Sequence, residues 1–176
     1  MKLTEEEFLA KELEIGVGFH NPNFIRNRDK DAQMMIKYKD LKAIDYGAGC
    51  GVYAEQFRKA GFDIVAQDIS KVHREYMNEN CPLLKVTARP VKKDLMLFVE
   101  VAEHMTDEEI VKAIEKIDPK IILFSSTSEK NDYDILWGHV NIKPQTEWVT
   151  FWSAMGYKVI ARPGRPTKWS MILERV

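Results

Sequence analysis

The stretch Ala43-Ile44-Asp45-Tyr46-Gly47-Ala48-Gly49-Cys50-Gly51 decides how the rest of this chain is read. A short strand, expected over Lys42 to Tyr46, runs straight into glycines at every other position. Tyr53, Phe57 and Ala60 then recur at the spacing of an amphipathic helix, with Gly61 where a C-terminal cap belongs. Glycines in this register let the main chain turn sharply and let a ligand lie directly against it. The helix N-terminus behind them offers N–H groups and the positive end of a dipole.

Three ligand chemistries compete for such a turn. A P-loop needs Gly-Lys-Ser/Thr after the glycines, and this chain has Gly51-Val52-Tyr53. The dinucleotide fingerprint needs a glycine where Val52 stands. What remains is Asp-x-Gly-x-Gly-x-Gly. Here Asp45 can meet a cationic amino group, and the glycines leave room for an amino-acid moiety instead of a pyrophosphate.

Working outward, strand and helix signals alternate, the pattern of a parallel sheet covered on both faces. Thr4 and Glu7 form a capping box, so a first helix is expected to about Leu13, broken by Gly16 to Pro22. Asn21-Pro22-Asn23-Phe24 reads as a turn, and a second helix is expected over Asp29 to Tyr38. Further strands are expected at Phe62 to Ala66, Leu83 to Val86, Leu95 to Val99 and Ile121 to Phe124. Thr106 and Glu109 form a second capping box before a helix faced by Ile110, Ile114 and Ile117. Trp148, Phe151, Trp152 and Met155 mark a last helix, whose aromatic stripe reads as core packing against the sheet. Tyr157 to Ala161 and Trp169 to Glu174 are joined by a connection too short for a crossover, so they should pair antiparallel.

The glycine segment resembles the first motif of class I S-adenosylmethionine-dependent methyltransferases, and the resemblance runs from about residue 40 to residue 176. Asp68, in Gln67-Asp68-Ile69-Ser70, stands where that family places the acid that binds ribose hydroxyls. Glu100-Val101-Ala102-Glu103-His104-Met105 resembles the family's Glu-Val-x-Glu-His segment, and the closing hairpin matches its usual sheet ending. The resemblance implies a Rossmann-like α/β fold: a seven-stranded, mostly parallel sheet with helices on both faces. It implies S-adenosyl-L-methionine as cofactor, held by Asp45, Gly47, Ala48, Gly49, Gly51, Asp68, Ile69 and Glu100. Where many relatives carry an acid after the third strand, this chain has Val86-Thr87-Ala88-Arg89-Pro90, so adenine is left to backbone groups.

A hydroxyl acceptor needs its proton removed. Two of the four histidines, His139 and His104, stand where an acceptor would lie, and His139 is the preferred catalytic residue. It falls in the long non-periodic stretch Ser125 to Asn141, which also carries Tyr133 and Trp137. Stretches of this length in compact domains are usually functional or disordered. Gly138-His139-Val140-Asn141 resembles a segment of sugar- and glycan-associated relatives, implying a small, sugar-like acceptor. The bland alternative is that His139 only ties its loop to the body. Glu103 reads as a first-turn acid that complements a helix dipole, and His73 as a solvated surface residue.

The chain has 176 residues, enough for one domain: residues 1–40 as a helical lid over the cofactor, with His20, Arg26 and Arg28 as contacts, and 41–176 as the core. Lys and Arg number 26 against 27 Asp and Glu, a balance that argues against a protein held to nucleic acid by its phosphates. Two cysteines, an acidic N-terminus without a signal-peptide core and no spanning apolar run place the expectation in the cytoplasm, away from membranes. No His/Cys/carboxylate cluster has metal-ligand spacing in the sequence, so no metal is expected. The expected enzyme works as a monomer or homodimer. RNA or protein methylation, or an inactive domain that only binds cofactor or partner, are the alternatives.

Overall fold

A computed structural model describes residues 3–130 and 134–176 of the chain, so Tyr133 lies outside the described residues. Its contacts gather in two compact units, residues 3–90 and 91–176. The strand order is β3-β2-β1-β4-β5-β7-β6, the expected seven-stranded and mostly parallel sheet.

The first unit holds β1 (Ala43–Tyr46), β2 (Ile64–Gln67) and β3 (Lys85–Thr87), paired parallel through β2. Ala43, Ile44, Ile64 and Ala66 are buried, as strands covered on both faces require. Helices α1 (Glu5–Glu14), α2 (Pro22–Met34), α3 (Val52–Lys59) and α4 (Lys71–Asn80) complete the unit, with α1 packed on α4 and α2 on α3. The expected capping box between Thr4 and Glu7 opens α1.

Helix α2 begins seven residues earlier than its apolar spacing suggests, at Pro22 instead of Asp29. The Asn21 side chain accepts hydrogen bonds from the backbone N–H groups of Asn23 and Phe24, and Pro22 occupies the first helical position. Proline is favoured there, where its missing N–H is of no consequence. The segment read as a turn is therefore a helix start.

The second unit holds β4 (Leu95–Val99) and β5 (Ile121–Ser125), paired parallel, and β6 (Tyr157–Ala161) and β7 (Met171–Arg175), the antiparallel ending. Helix α5 (Asp107–Ile117) starts on the Thr106–Glu109 capping box and buries Ile110, Ala113, Ile114 and Ile117. A short helix, α6 (Asp134–Trp137), lies within the stretch after β5, and α7 (Gln145–Ala154) follows. Trp148 and Trp152 are fully buried and meet the Phe124 ring edge-on at 5.0 Å each. The aromatic stripe of α7 is core. Among the described residues, no helix is long and apolar enough to cross a membrane.

Removing the Phe124 ring should cost about 3–5 kcal/mol, because the two indoles and Phe98 cannot collapse into the space it leaves. Urea denaturation of Phe124→Ala checks this. The Asn21→Ala change, which removes only a cap, should cost about 1 kcal/mol in the same assay.

Candidate functional site

In the first unit, the chain leaves β1 through Gly47, Gly49 and Gly51, all with positive φ (70°, 51° and 77°). That conformation costs an ordinary L-residue roughly 1–2 kcal/mol. A Cβ at Gly51 would also come within 2.5 Å of Met77 Cγ. Gly51 is the N-cap of α3 and has no side chain to cap it. Asp45 does so from the strand, accepting the Ala54 N–H at 3.1 Å. The Asp68 carboxylate ties this turn to the end of β2: Oδ2 accepts the Gly49 N–H and Oδ1 the Ser70 N–H, both at 2.8 Å.

Both acids are buried. Burial pushes the Asp45 carboxyl up to about 7, with the Asp68 charge adding to it. Burial also raises Asp68, in spite of its two N–H donors. Two costly negative charges beside one bare backbone turn form a seat for positive charge. Ile69 keeps its side chain exposed.

Helix α1 reaches this turn. Glu12 Oε1 lies 3.3 Å from where a Gly49 Cβ would stand, and Glu12 Oε2 meets His73 Nε2 at 2.7 Å. The other imidazole nitrogen meets Ser70 Oγ at 2.9 Å, and that hydroxyl donates to Glu5. His73 is thus buried on the inner side of α4, not solvated as its surroundings in sequence suggest. Burial alone would depress the imidazole, but Glu12, with Asp68 and Glu5 behind it, outweighs burial and raises it. Arg28 is used within the unit, in an ion pair with Asp31 and over the rings of Phe24 and Tyr53, and Arg26 bonds Asn23.

The second unit gathers a different set. Glu100 follows β4 with a positive φ of 55°, a strained conformation for a residue with a Cβ, and accepts a hydrogen bond from Ser125. Glu103 and His104 belong to a single 3-10 turn over Ala102–His104. Glu103 is therefore not in the first turn of α5, which is Asp107, Glu108 and Glu109. It is 1% exposed and accepts the Ser126 hydroxyl at 2.9 Å. Burial, then the charge of Glu100, pushes its carboxyl up to about 8.

His139 arrives from the loop after α6. The Val140 and Asn141 N–H groups both donate to the Glu103 carbonyl, at 2.7 and 3.0 Å, which pins the loop to the 3-10 turn. The His104 and His139 rings meet at 4.7 Å, and His139 Nδ1 pairs with the buried Asp134 at 2.8 Å. One donor atom from each of Glu103, His104 and His139 lies within 4.8 Å of the others. Beside them, His139, Asp134, Asn141 and Lys143 line an open cleft of about 480 Å³. The structure so brings together both expected catalytic histidines, and adds Asp134 and a buried Glu103, which periodicity and spacing do not mark. In the other unit it adds Glu12 and His73.

The fold and the glycine turn resemble those of class I methyltransferases. No family model matches it. It is 23% identical over 142 residues to a ubiquinone biosynthesis O-methyltransferase of Cereibacter sphaeroides, a match that covers 73% of this chain and 56% of that protein. The chain thus spans little more than half the length of that relative. Among solved structures, mitomycin 7-O-methyltransferase superposes with a TM-score of 0.67 at 14% identity, over 99% of this chain and 61% of that one. Magnesium protoporphyrin IX methyltransferase of Synechocystis PCC 6803, solved with S-adenosylhomocysteine bound, gives 0.63 at 15% identity, over 85% and 81%.

The raised His73 makes α1 docking pH-dependent. Stability from the His73–Glu12 pair is fully present below the unfolded imidazole value of about 6.5 and is lost as pH rises through the higher folded value. The protection of the α1 amides, taken relative to their intrinsic base-catalysed exchange at each pH, should therefore fall toward alkaline pH in the wild type. Glu12→Gln should remove most of that dependence, and an unchanged profile would assign the pair no role in docking.

Proposed function

We propose that this chain is an S-adenosylmethionine-dependent O-methyltransferase acting on a small polar acceptor, a sugar or glycan-precursor hydroxyl. It would work in the cytoplasm as a monomer or homodimer. The observation that carries the cofactor assignment is the pair of buried carboxylates, Asp45 and Asp68, at a turn of three left-handed glycines. S-adenosylmethionine carries an ammonium and a sulfonium. Its methionine portion fits against Gly47, Ala48, Gly49 and Gly51, with Asp45 offsetting the charge. Asp68 keeps lone pairs for the ribose hydroxyls, and exposed Ile69 offers an apolar face to adenine. Residues 1–40 act as the lid, since Glu12 on α1 already stands over Gly49.

On the acceptor side, His139 oriented by Asp134 takes the hydroxyl proton, in a cleft whose polar lining suits a sugar. With His104 it forms the acceptor-facing set. The oxygen then displaces the sulfonium, and the C–S bond breaks as the C–O bond forms. In such an in-line displacement, alignment supplies much of the rate. The name of the Cereibacter relative supports oxygen as the methylated atom.

Calorimetric titration with S-adenosylmethionine tests the cofactor. Affinity should rise with pH through about 7, because Asp45 must lose its proton to meet a cation. Asp45→Asn keeps an acceptor for the Ala54 N–H but removes the charge; it should weaken binding at least about tenfold and flatten the pH profile. Equal affinity in the variant would remove Asp45 from the site. With a sugar-acceptor panel beside RNA oligonucleotides, His139→Ala should abolish turnover and spare cofactor affinity. Unchanged rates would sink its role, and turnover on RNA alone would replace the sugar acceptor.

A further inference from the structure

We propose that Glu103, His104 and His139 bind a divalent first-row metal cation. Their donor atoms lie within 4.8 Å of one another. Three donors each about 2.1 Å from one cation stand about 3.0–3.6 Å apart. Closing the three side chains by about an ångström per pair from within 4.8 Å is a matter of side-chain rotation.

The groups around the three donors are arranged as the shell of a metal site is. Asp134 takes the Nδ1–H of His139, which places the imidazole lone pair on Nε2. A carboxylate behind the ligating histidine is the usual device for fixing its tautomer and raising its basicity. The Ser126 hydroxyl occupies Glu103 Oε2 and sets the carboxylate plane. Glu100, strained at φ 55°, bonds the Glu103 carboxyl and supplies a second acid next to the first. One nearly fully buried carboxyl with another against it, and two imidazoles at 4.7 Å, gather oxygen and nitrogen donors at one place.

Two nitrogens and one oxygen suit Mn2+, Fe2+, Co2+ or Zn2+. Three protein ligands leave coordination positions open, as in catalytic and not structural sites. The consequence rests on the methyl-transfer reading above: an acceptor hydroxyl bound there would lose its proton more readily, and His139 would serve as a ligand in place of a base. The site itself depends only on the geometry.

The test uses the whole chain, stripped with a chelator, without cofactor or acceptor. Mn2+ is titrated in and followed by electron paramagnetic resonance, with pulsed spectra read for coupling to histidine nitrogen. One Mn2+ per chain, with nitrogen coupling, is expected. Binding should weaken at least about tenfold in Glu103→Gln and in Asp134→Asn, the latter acting only through His139. Thermal melts of each variant show that it is folded. Absence of Mn2+ binding, binding without nitrogen coupling, or unchanged affinity in both variants would overturn the proposal. That failure would leave cofactor binding, measured separately by calorimetry, untouched.

Discussion

Three alternating positions with positive φ in one turn strongly favour glycine, and Gly47, Gly49 and Gly51 occupy them. The tight turn from β1 into α3 depends on them. With no side chains, the turn leaves its backbone N–H groups for others to use. Asp68 takes one from Gly49 and thereby ties the turn to β2. Asp45 accepts the N–H of Ala54 in the first turn of α3, doing the capping that Gly51 cannot. The same absence of side chains that makes the turn tight also makes it a place where a ligand can touch the main chain.

That arrangement carries an electrostatic cost. Asp45 and Asp68 are buried near one another, and the described hydrogen bonds to their carboxylates come from backbone N–H groups, while Arg74 reaches only the Asp68 main-chain carbonyl. A buried acid with only N–H donors stays harder to ionise than one in water. Glu12 and His73 respond to the same field: the acids around the imidazole favour its protonated form despite burial.

The second unit uses the same principle with different parts. The Val140 and Asn141 N–H groups close on the Glu103 carbonyl, so a loop with no periodicity of its own is held in register by two main-chain hydrogen bonds. Once that loop is fixed, His139 faces His104, and Asp134, only five positions earlier, fixes the ring. Glu103 loses its water through this closure. A carboxyl so enclosed, beside Glu100, holds a proton well above the ordinary carboxylate range. Strain at Glu100 is absorbed by the strand before it, which pairs with β5 along its whole length.

The sequence by itself determined the order of strands and helices, both capping boxes, the antiparallel ending and the glycine turn with its two acids. Each of these rests on local chemistry: periodicity, caps and glycine conformations act over a few neighbouring residues. The start of α2 was also written locally, in Asn21 and Pro22, but the apolar spacing further on drew the boundary away from it. Helix α1 packed over His73, and a loop that closes on the Glu103 main chain carried His139 across 35 positions to His104, with Asp134 on its ring. Only the tertiary structure decided these, because burial and donor–donor distance depend on which distant segments come together. A pattern read along the chain contains neither.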